Sequence, residues 1–397
     1  MKIQNKLISV LLLMVFVSYV VVTSHATPRY TKGRSSALRY TQEAQGYSIL
    51  VEELYSTLNH PWGITWYISS DSKAVQHPMI VTERNGSVWL LVNEKIKKIT
   101  KLPRDVVQSG QGGWLDVVQG PNNIIYLSYS KGKKSSNVTA LISFELREKD
   151  IHSNTTTIQA RKVRSLYKMN KTVGSQIHFG GMLALGERKG NDAIFLGLGE
   201  RGQRNQAQNL DSDHGTIVAI PIEKKGKHEI ISYGHRNPQG MYYDPLRALL
   251  YSTEHGPKGG DELNLIHMNS STLPNYGWPV VSYGKEYSSG LQVGEGTSKK
   301  GMEEPLHYWE ISPALSGLTV YYGKAFPEWN GDLFASALKF QQIFHVDIDD
   351  EGKKVLDVKP ILKRRIGRIR SIRQGPDTNL YFITDENRGK IFKISRE

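Results

Sequence analysis

From Gln45 to the C-terminus the chain repeats one hydrophobic pattern. A short apolar run ends in a small residue and an acid, a glycine turn follows, and a second apolar run returns. Met79 to Val92 shows it, with the run MIV, the turn Thr82-Glu83-Arg84-Asn85-Gly86 and the run SVWLLV. The figure recurs at Gly199-Glu200-Arg201-Gly202, at Thr253-Glu254-His255-Gly256 and at Thr384-Asp385-Glu386-Asn387-Arg388-Gly389, where KIFKI returns. Weaker copies run from Ile124 to Ser130, ahead of Gly132, and from Asp332 to Leu338, ahead of Lys339 and the run IFHVDI. Apolar residues at helical spacing are scarce, so the periodicity predicts strands joined by tight turns. About six such units without linkers predict one all-β domain over residues 45–397, a six-bladed β-propeller with four-stranded antiparallel blades. An array of β-sandwiches would need linkers between units, and none appears.

The N-terminal stretch departs from this pattern. Lys2 and Lys6 precede the apolar run Leu7 to Val22, and Ser24-His25-Ala26 offers a small-x-small cleavage site. Residues 1–26 therefore read as an export signal, too short in its apolar part for a membrane span of roughly 20 residues. After cleavage no segment is expected to remain in a membrane, and the protein is expected to be periplasmic or secreted. Residues 27–44 are polar and aperiodic and read as a flexible lead.

Composition narrows the chemistry. The chain of 397 residues has no cysteine, which excludes disulfides, thiolate metal sites and a cysteine nucleophile. Its formal charge of +13 is spread through the turns, and no nucleic-acid-binding motif accompanies it. No HExxH helix, G-x-S-x-G elbow or nucleotide-binding glycine fingerprint is present.

The densest polar stretch is Tyr233 to Asn264, YGHRNPQGMYYDPLRALLYSTEHGPKGGDELN. It holds His235, Arg236, Asn237 and Gln239 at one end, and Glu254, His255, Gly256, Pro257, Asp261 and Glu262 at the other. Turns at strand ends are where a rigid scaffold presents binding groups. In a propeller such turns converge on the central channel, so distant residues can meet. Candidates by that rule are Gln111, His178, Glu200, Arg236, Asn237, Gly256, Pro257, Lys339, Arg368 and Arg370. His178 precedes two glycines that allow close backbone approach, and Glu200 is placed to orient its imidazole. Arg368 and Arg370, two apart in a strand, would share a face and fork a carboxylate or phosphate; a solvated strand edge is the other reading. Oxygen donors without thiolates at Gly256–Glu262 suit Ca²⁺ better than Zn²⁺.

Several of these segments stand together in a way that resembles the soluble PQQ-dependent aldose sugar dehydrogenases, the soluble glucose dehydrogenase family. The pieces are Pro61-Trp62-Gly63, Thr82-Glu83-Arg84, Gly110-Gln111-Gly112-Gly113, His178-Phe179-Gly180-Gly181, Gly234–Gly240 (GHRNPQG), Glu254–Asn264 (EHGPKGGDELN), Asn275–Pro279 (NYGWP), Phe326-Pro327-Glu328-Trp329 and the Arg368/Arg370 pair. The resemblance implies a six-bladed propeller that oxidises the C1 hydroxyl of aldoses such as glucose to lactones, by hydride transfer to PQQ, and passes the electrons to an external acceptor. It implies His178 as general base, Glu200 as its acidic partner and Arg236 polarising the quinone oxygen. Gln111 and Asn237 would line the pocket, and Lys339, Arg368 and Arg370 would hold the PQQ carboxylates. Ca²⁺ would sit on the carbonyls of Gly256 and Pro257, and a second Ca²⁺ at Glu262 and Tyr276. Met182, the run Ile311–Ser316 and the insertion at 269–274 depart from the family pattern and bear on which sugar fits. A non-catalytic propeller that binds a protein or glycan is the alternative; a calcium-dependent lactonase would need carboxylate ligands in place of the Gly256–Pro257 carbonyls.

Overall fold

The structure, a computed structural model, describes residues 39–397 apart from 45–46, 70–76, 93–94, 223–226 and 364–365, with side chains from Ser48 onward. The export signal expected over 1–26, and the first part of the expected lead, lie outside the described residues. Every described strand belongs to one of six sheets. Their first strands are Pro61–Trp66, Trp114–Gln119, Gly180–Arg188, Pro238–Asp244, Leu315–Val320 and Ile369–Gln374. Each of these neighbours the next, and the sixth returns to the first, so they ring a central axis. The fold is a six-bladed propeller, with blades numbered here in chain order.

Two blades carry more than four strands. In blade 1 the short strand Thr157–Gln159 adds parallel to Lys95–Thr100. In blade 6 the strands Ile369–Gln374, Leu380–Thr384 and Gly389–Arg396 come from the end of the chain, and Tyr47–Leu58 and Arg39–Ala44 come from its beginning. Residues 39–44, expected in a flexible lead, are therefore an edge strand, paired in register from Arg39↔Glu52 to Ala44↔Tyr47. The reason is that Tyr47–Leu58 is long and would otherwise expose its outer row of backbone donors and acceptors.

The repeated small–acidic turn joins the second strand to the third, as between Met79–Glu83 and Val88–Val92. First and second strands are antiparallel. The entry to each first strand and the exit from each second strand consequently lie at the same end of the ring. At that end all six first strands slip register against their partners, for example between Pro61 and Ile64, Gly180 and Leu183, and Ile369 and Ser371. Bulges of this kind re-aim side chains at rims and beside sites.

Apolar side chains fill the space between blades, and hydroxyls tie four of the blades to the next. Thr82 Oγ1 donates to Leu115 O, Ser128 Oγ to Gly181 O, Thr253 Oγ1 to Ser316 O and Ser316 Oγ to Ile369 O. The Phe326–Trp329 motif serves the core: the two rings stack at 4.0 Å and both are fully buried. One ion pair crosses the ring. Asp116 of blade 2, with no exposed surface, accepts two hydrogen bonds from Arg373 Nη2 of blade 6 at 2.8 and 2.7 Å. The same carboxylate accepts the N–H of Leu183 in blade 3 at 3.0 Å.

Candidate functional site

At the bulged end of blade 3, His178 precedes the first strand and Glu200 follows the second. His178 Nδ1 is hydrogen-bonded to Glu200 Oε1. A carboxylate can only accept, so Nδ1 carries the proton and Nε2 keeps its lone pair. Nε2 has no protein partner among the described residues. His178 has φ +52, the left-handed region, and its N–H donates to Gln111 Oε1 at 2.8 Å. Gly199 makes the close approach possible, because a Cβ there would lie 1.9 Å from the carbonyl oxygen of His178. Burial pushes the imidazole below its ordinary pKa; the hydrogen bond that it donates to Glu200 opposes this, and the charge of Arg236 adds to it. At neutral pH the ring is an uncharged base.

Arg236 and Asn237 enter blade 4 beside this pair. Glu200 N–H donates to Arg236 O at 2.9 Å, and Gly180 N–H to Asn237 Oδ1 at 3.3 Å, so the two blades share one rim. The Arg236 guanidinium donates through Nη1 to His255 O at 3.0 Å and lies 5.3 Å from the Trp278 ring centre. Beneath it is a buried network that sequence reasoning left out. Glu254 binds His235 Nδ1 at 2.9 Å, the Arg236 N–H at 3.0 Å and Asn264 Nδ2 at 2.8 Å. His235 Nε2 reaches Ser232 Oγ at 2.8 Å, and the ring stacks on Tyr276 at 4.6 Å. Burial would raise the Glu254 carboxyl, but His235 and the N–H groups of Arg236 and Asn237 hold it below the usual carboxylate value. Glu254 thus fixes the backbone of Arg236. The signal for it was the repeated acid slot: Glu200 pairs with His178, Glu254 with His235, and Asp385 with His60 at 2.6 Å.

Blades 6 and 1 bring the other cations to the same end. Arg370 is buried, donates to Asp385 Oδ2 at 3.0 Å and to Gln239 Oε1 of blade 4 at 2.9 Å, and lies 3.9 Å over the Trp62 ring. Arg368 is exposed. The expected fork of Arg368 and Arg370 is corrected on this point: they do not share an environment, because the register slip between Ile369 and Ser371 breaks the alternation. Lys339 follows the second strand of blade 5 and is exposed at the rim, its N–H donating to Pro313 O at 2.9 Å.

The expected metal donors divide. Gly256 N–H is anchored on Asp261 Oδ1 at 3.0 Å, and Pro257 O accepts from the Tyr287 hydroxyl at 3.0 Å. Two neutral carbonyls fall well short of the six to eight oxygens that Ca²⁺ takes, so a cation here needs oxygens from a bound molecule. At the second position, Glu262 has its pKa raised by burial and by the nearby Glu254, with Asp261 and Glu304 adding to it. Such an acid gains from a cation beside it. The Tyr276 hydroxyl is already engaged, donating to Leu265 O and accepting from His267 N–H at 3.2 Å. Only its main-chain carbonyl could serve a metal. Among the described residues no three His, Asp or Glu side chains form a metal cluster.

What the arrangement lacks is as informative as its bonds. Trp62 Nε1, Arg84 Nε, Arg236 Nε and Arg370 Nε are buried donors without partners, and Glu200 Oε2 is a buried acceptor without one. Buried polar groups are seldom left unpaired. A planar polyanion with several carboxylates fits such a ring of donors, with the lone-pair nitrogen of His178 at its edge.

Two buried imidazoles set the acid stability. Burial, then the charge of Arg201, brings His214 to about 4; burial chiefly, with Arg370 and Arg236 adding and Asp261 opposing, brings His255 to about 4. Unfolded imidazole titrates near 6.5. Between these values the unfolded chain binds protons that the folded one does not, so stability falls as pH falls through that window. The urea midpoint is expected to drop steadily from about pH 7 to about pH 4.5, with about two protons taken up on unfolding from these groups.

Comparison with known proteins agrees with this geometry. The family Glucose / Sorbosone dehydrogenase matches residues 58–393. The chain is 34% identical over 368 residues to aldose sugar dehydrogenase YliI of Escherichia coli (strain K12), covering 88% of this chain and 93% of that protein. The crystal structure of the soluble aldose sugar dehydrogenase from Escherichia coli in the apo-form superimposes with a TM-score of 0.76 at 34% identity, over 88% of this chain and 100% of that one. The PQQ-bound form of aldose sugar dehydrogenase from Streptomyces coelicolor shares the fold, with a TM-score of 0.65 at 21% identity over 87% of this chain and 98% of that one.

Proposed function

The chain belongs to the glucose/sorbosone dehydrogenase family, and from that footing we propose that it is an exported quinoprotein that oxidises the C1 hydroxyl of aldose sugars to lactones. The observation that carries the reading is the assembly of His178–Glu200 with buried, unpartnered donors from blades 1, 4 and 6 at one end of the ring. Those donors fit PQQ, which when bound supplies the acceptor for the hydride that leaves C1. His178 Nε2 takes the proton of the C1 hydroxyl as the carbonyl forms, and Glu200 stabilises the imidazolium that results. Gln111 holds the backbone of His178. Arg236 offers positive charge where negative charge develops on the quinone side, and Asn237 locks its rim to that of His178. Lys339, Arg368 and Arg370 are the cations for the PQQ carboxylates. The carbonyls of Gly256 and Pro257 would help to hold a Ca²⁺ serving as Lewis acid, and Glu262 with the main-chain carbonyl of Tyr276 would help to hold a second, structural Ca²⁺. The run from Leu7 to Val22 directs export. Among the described residues no helix is long and apolar enough to cross a membrane.

The test is reconstitution. Purified protein receives PQQ and Ca²⁺, and reduction of an artificial dye is followed with glucose and other aldoses, with the lactone identified as product. Stoichiometric uptake of PQQ and sugar-dependent dye reduction are expected. Bound PQQ without reduction by any sugar would refute the enzyme reading, and failure to take up PQQ would leave a binding propeller.

A further inference from the structure

We infer that Arg84 is a further anion-binding residue, holding a carboxylate of the cofactor at the junction of blades 6 and 1. This rests on the proposal that the protein binds PQQ. Arg84 follows the second strand of blade 1, in the repeated turn Thr82-Glu83-Arg84-Asn85-Gly86. Its main chain is fixed: its N–H donates to His60 O at 3.0 Å, and its carbonyl oxygen packs where a Cβ on Gly113 would lie 1.8 Å away. The side chain is 16% exposed, and its closest carboxylate oxygen, Asp385 Oδ1, is 3.8 Å from Nη2, beyond hydrogen-bond reach.

That carboxylate is already used. Its Oδ1 binds His60 Nδ1 at 2.6 Å, and its Oδ2 accepts from Arg370 Nη2 at 3.0 Å. The neighbouring Glu386 carboxylate lies 3.4 Å from the main-chain N–H of Arg368. The Arg84 guanidinium therefore makes no protein hydrogen bond among the described residues, and its Nε is buried without a partner. Trp62 Nε1 and Arg370 Nε are unpartnered in the same way, and all three groups are donors. Arg370 spends its Nη1 and Nη2 on Gln239 and Asp385. Of the two guanidiniums here, the part-buried Arg84 is the one with its fork open. An acceptor bearing negative charge suits two guanidiniums and an indole N–H best, and a carboxylate matches the fork in plane and spacing.

The experiment is a titration of the full-length protein with PQQ in the presence of Ca²⁺, read by the cofactor's absorbance and by tryptophan fluorescence, at low and at high salt. Arg84→Gln should weaken binding by about tenfold or more at low salt, and the difference from the parent should shrink as salt screens the charge. Arg84→Lys, which keeps the charge and loses the fork, should recover part of the affinity. A parental Kd in Arg84→Gln would overturn the inference while leaving the proposed function intact. Loss that is equal at all salt concentrations and shared in full by Arg84→Lys would also overturn it, as the mark of a structural role. If the parent itself takes up no PQQ, the underlying proposal fails and this one with it. Thermal unfolding without PQQ checks that each variant is folded, and Arg84→Lys carries the test should Arg84→Gln not be.

Discussion

His178→Ala is expected to cut turnover with aldoses by roughly 10²- to 10⁴-fold, the usual worth of a general base, while PQQ is still bound stoichiometrically. The reasoning separates the ring from its backbone. The main-chain N–H of His178 is held by Gln111, and the rim is tied by Gly180 to Asn237 and by Glu200 to Arg236, so removing the imidazole leaves the pocket walls in place. What disappears is the nitrogen lone pair that the Nδ1–Glu200 bond orients. Glu200→Gln gives the companion result. It preserves shape but removes the charge that opposes burial, so the acid limb of kcat/KM should move to lower pH while kcat falls. In the parent that limb is expected below the ordinary imidazole value, because burial outweighs Glu200 in its effect on His178. Loss of PQQ binding in His178→Ala would instead make His178 a wall of the pocket.

Asp116→Ala is the substitution with the largest expected cost to stability, about 3–5 kcal/mol in denaturant unfolding. The carboxylate has no exposed surface and answers a guanidinium from blade 6 and a backbone donor from blade 3. Removing it leaves Arg373 uncompensated and Leu183 N–H unpaired. The double variant Asp116→Ala, Arg373→Met should regain part of the loss, since much of the cost is the stranded charge and not the missing bond. A double variant no more stable than Asp116→Ala would assign the cost to the cavity and the Leu183 contact.

Much of the fold was legible because the strand pattern is local. The small–acidic turns mark the exit of the second strand in four blades, and weaker copies without the acid mark it in the other two. What escaped was the use of the first residues. Arg39–Ala44 carries no apolar alternation because it covers an edge and not a core, so composition made it a lead. The candidate residues could be read as types and places, but of their partners only Glu200, beside His178, was read from the sequence. Arg368 and Arg370 read as a pair because alternation assumes an unbroken ladder, and a bulge is not written in residue types. Glu254 was left out of the candidate residues. Its slot is indeed repeated, yet in three copies (Glu200, Glu254 and Asp385) the acid grips a histidine at the entry of a first strand, and in blade 4 that grip positions Arg236. Asp116–Arg373 joins residues 257 apart, a pairing no local pattern reveals.

The closing of blade 6 joins distant parts of the chain. Ile49 pairs with Arg396 and Leu58 with Gly389, so Gly389–Arg396 takes Tyr47–Leu58 as its partner. Non-local pairings of this length make for slow folding, since the loop must close before its contacts repay the lost entropy. Arg370 and Asp385 stand in this same blade, and Arg84 and Trp62 stand in the blade it meets on closure. The proposed cofactor pocket therefore needs this long-range pairing in place, and a protease cut that frees Gly389–Arg396 is expected to weaken PQQ binding together with the closure of the ring.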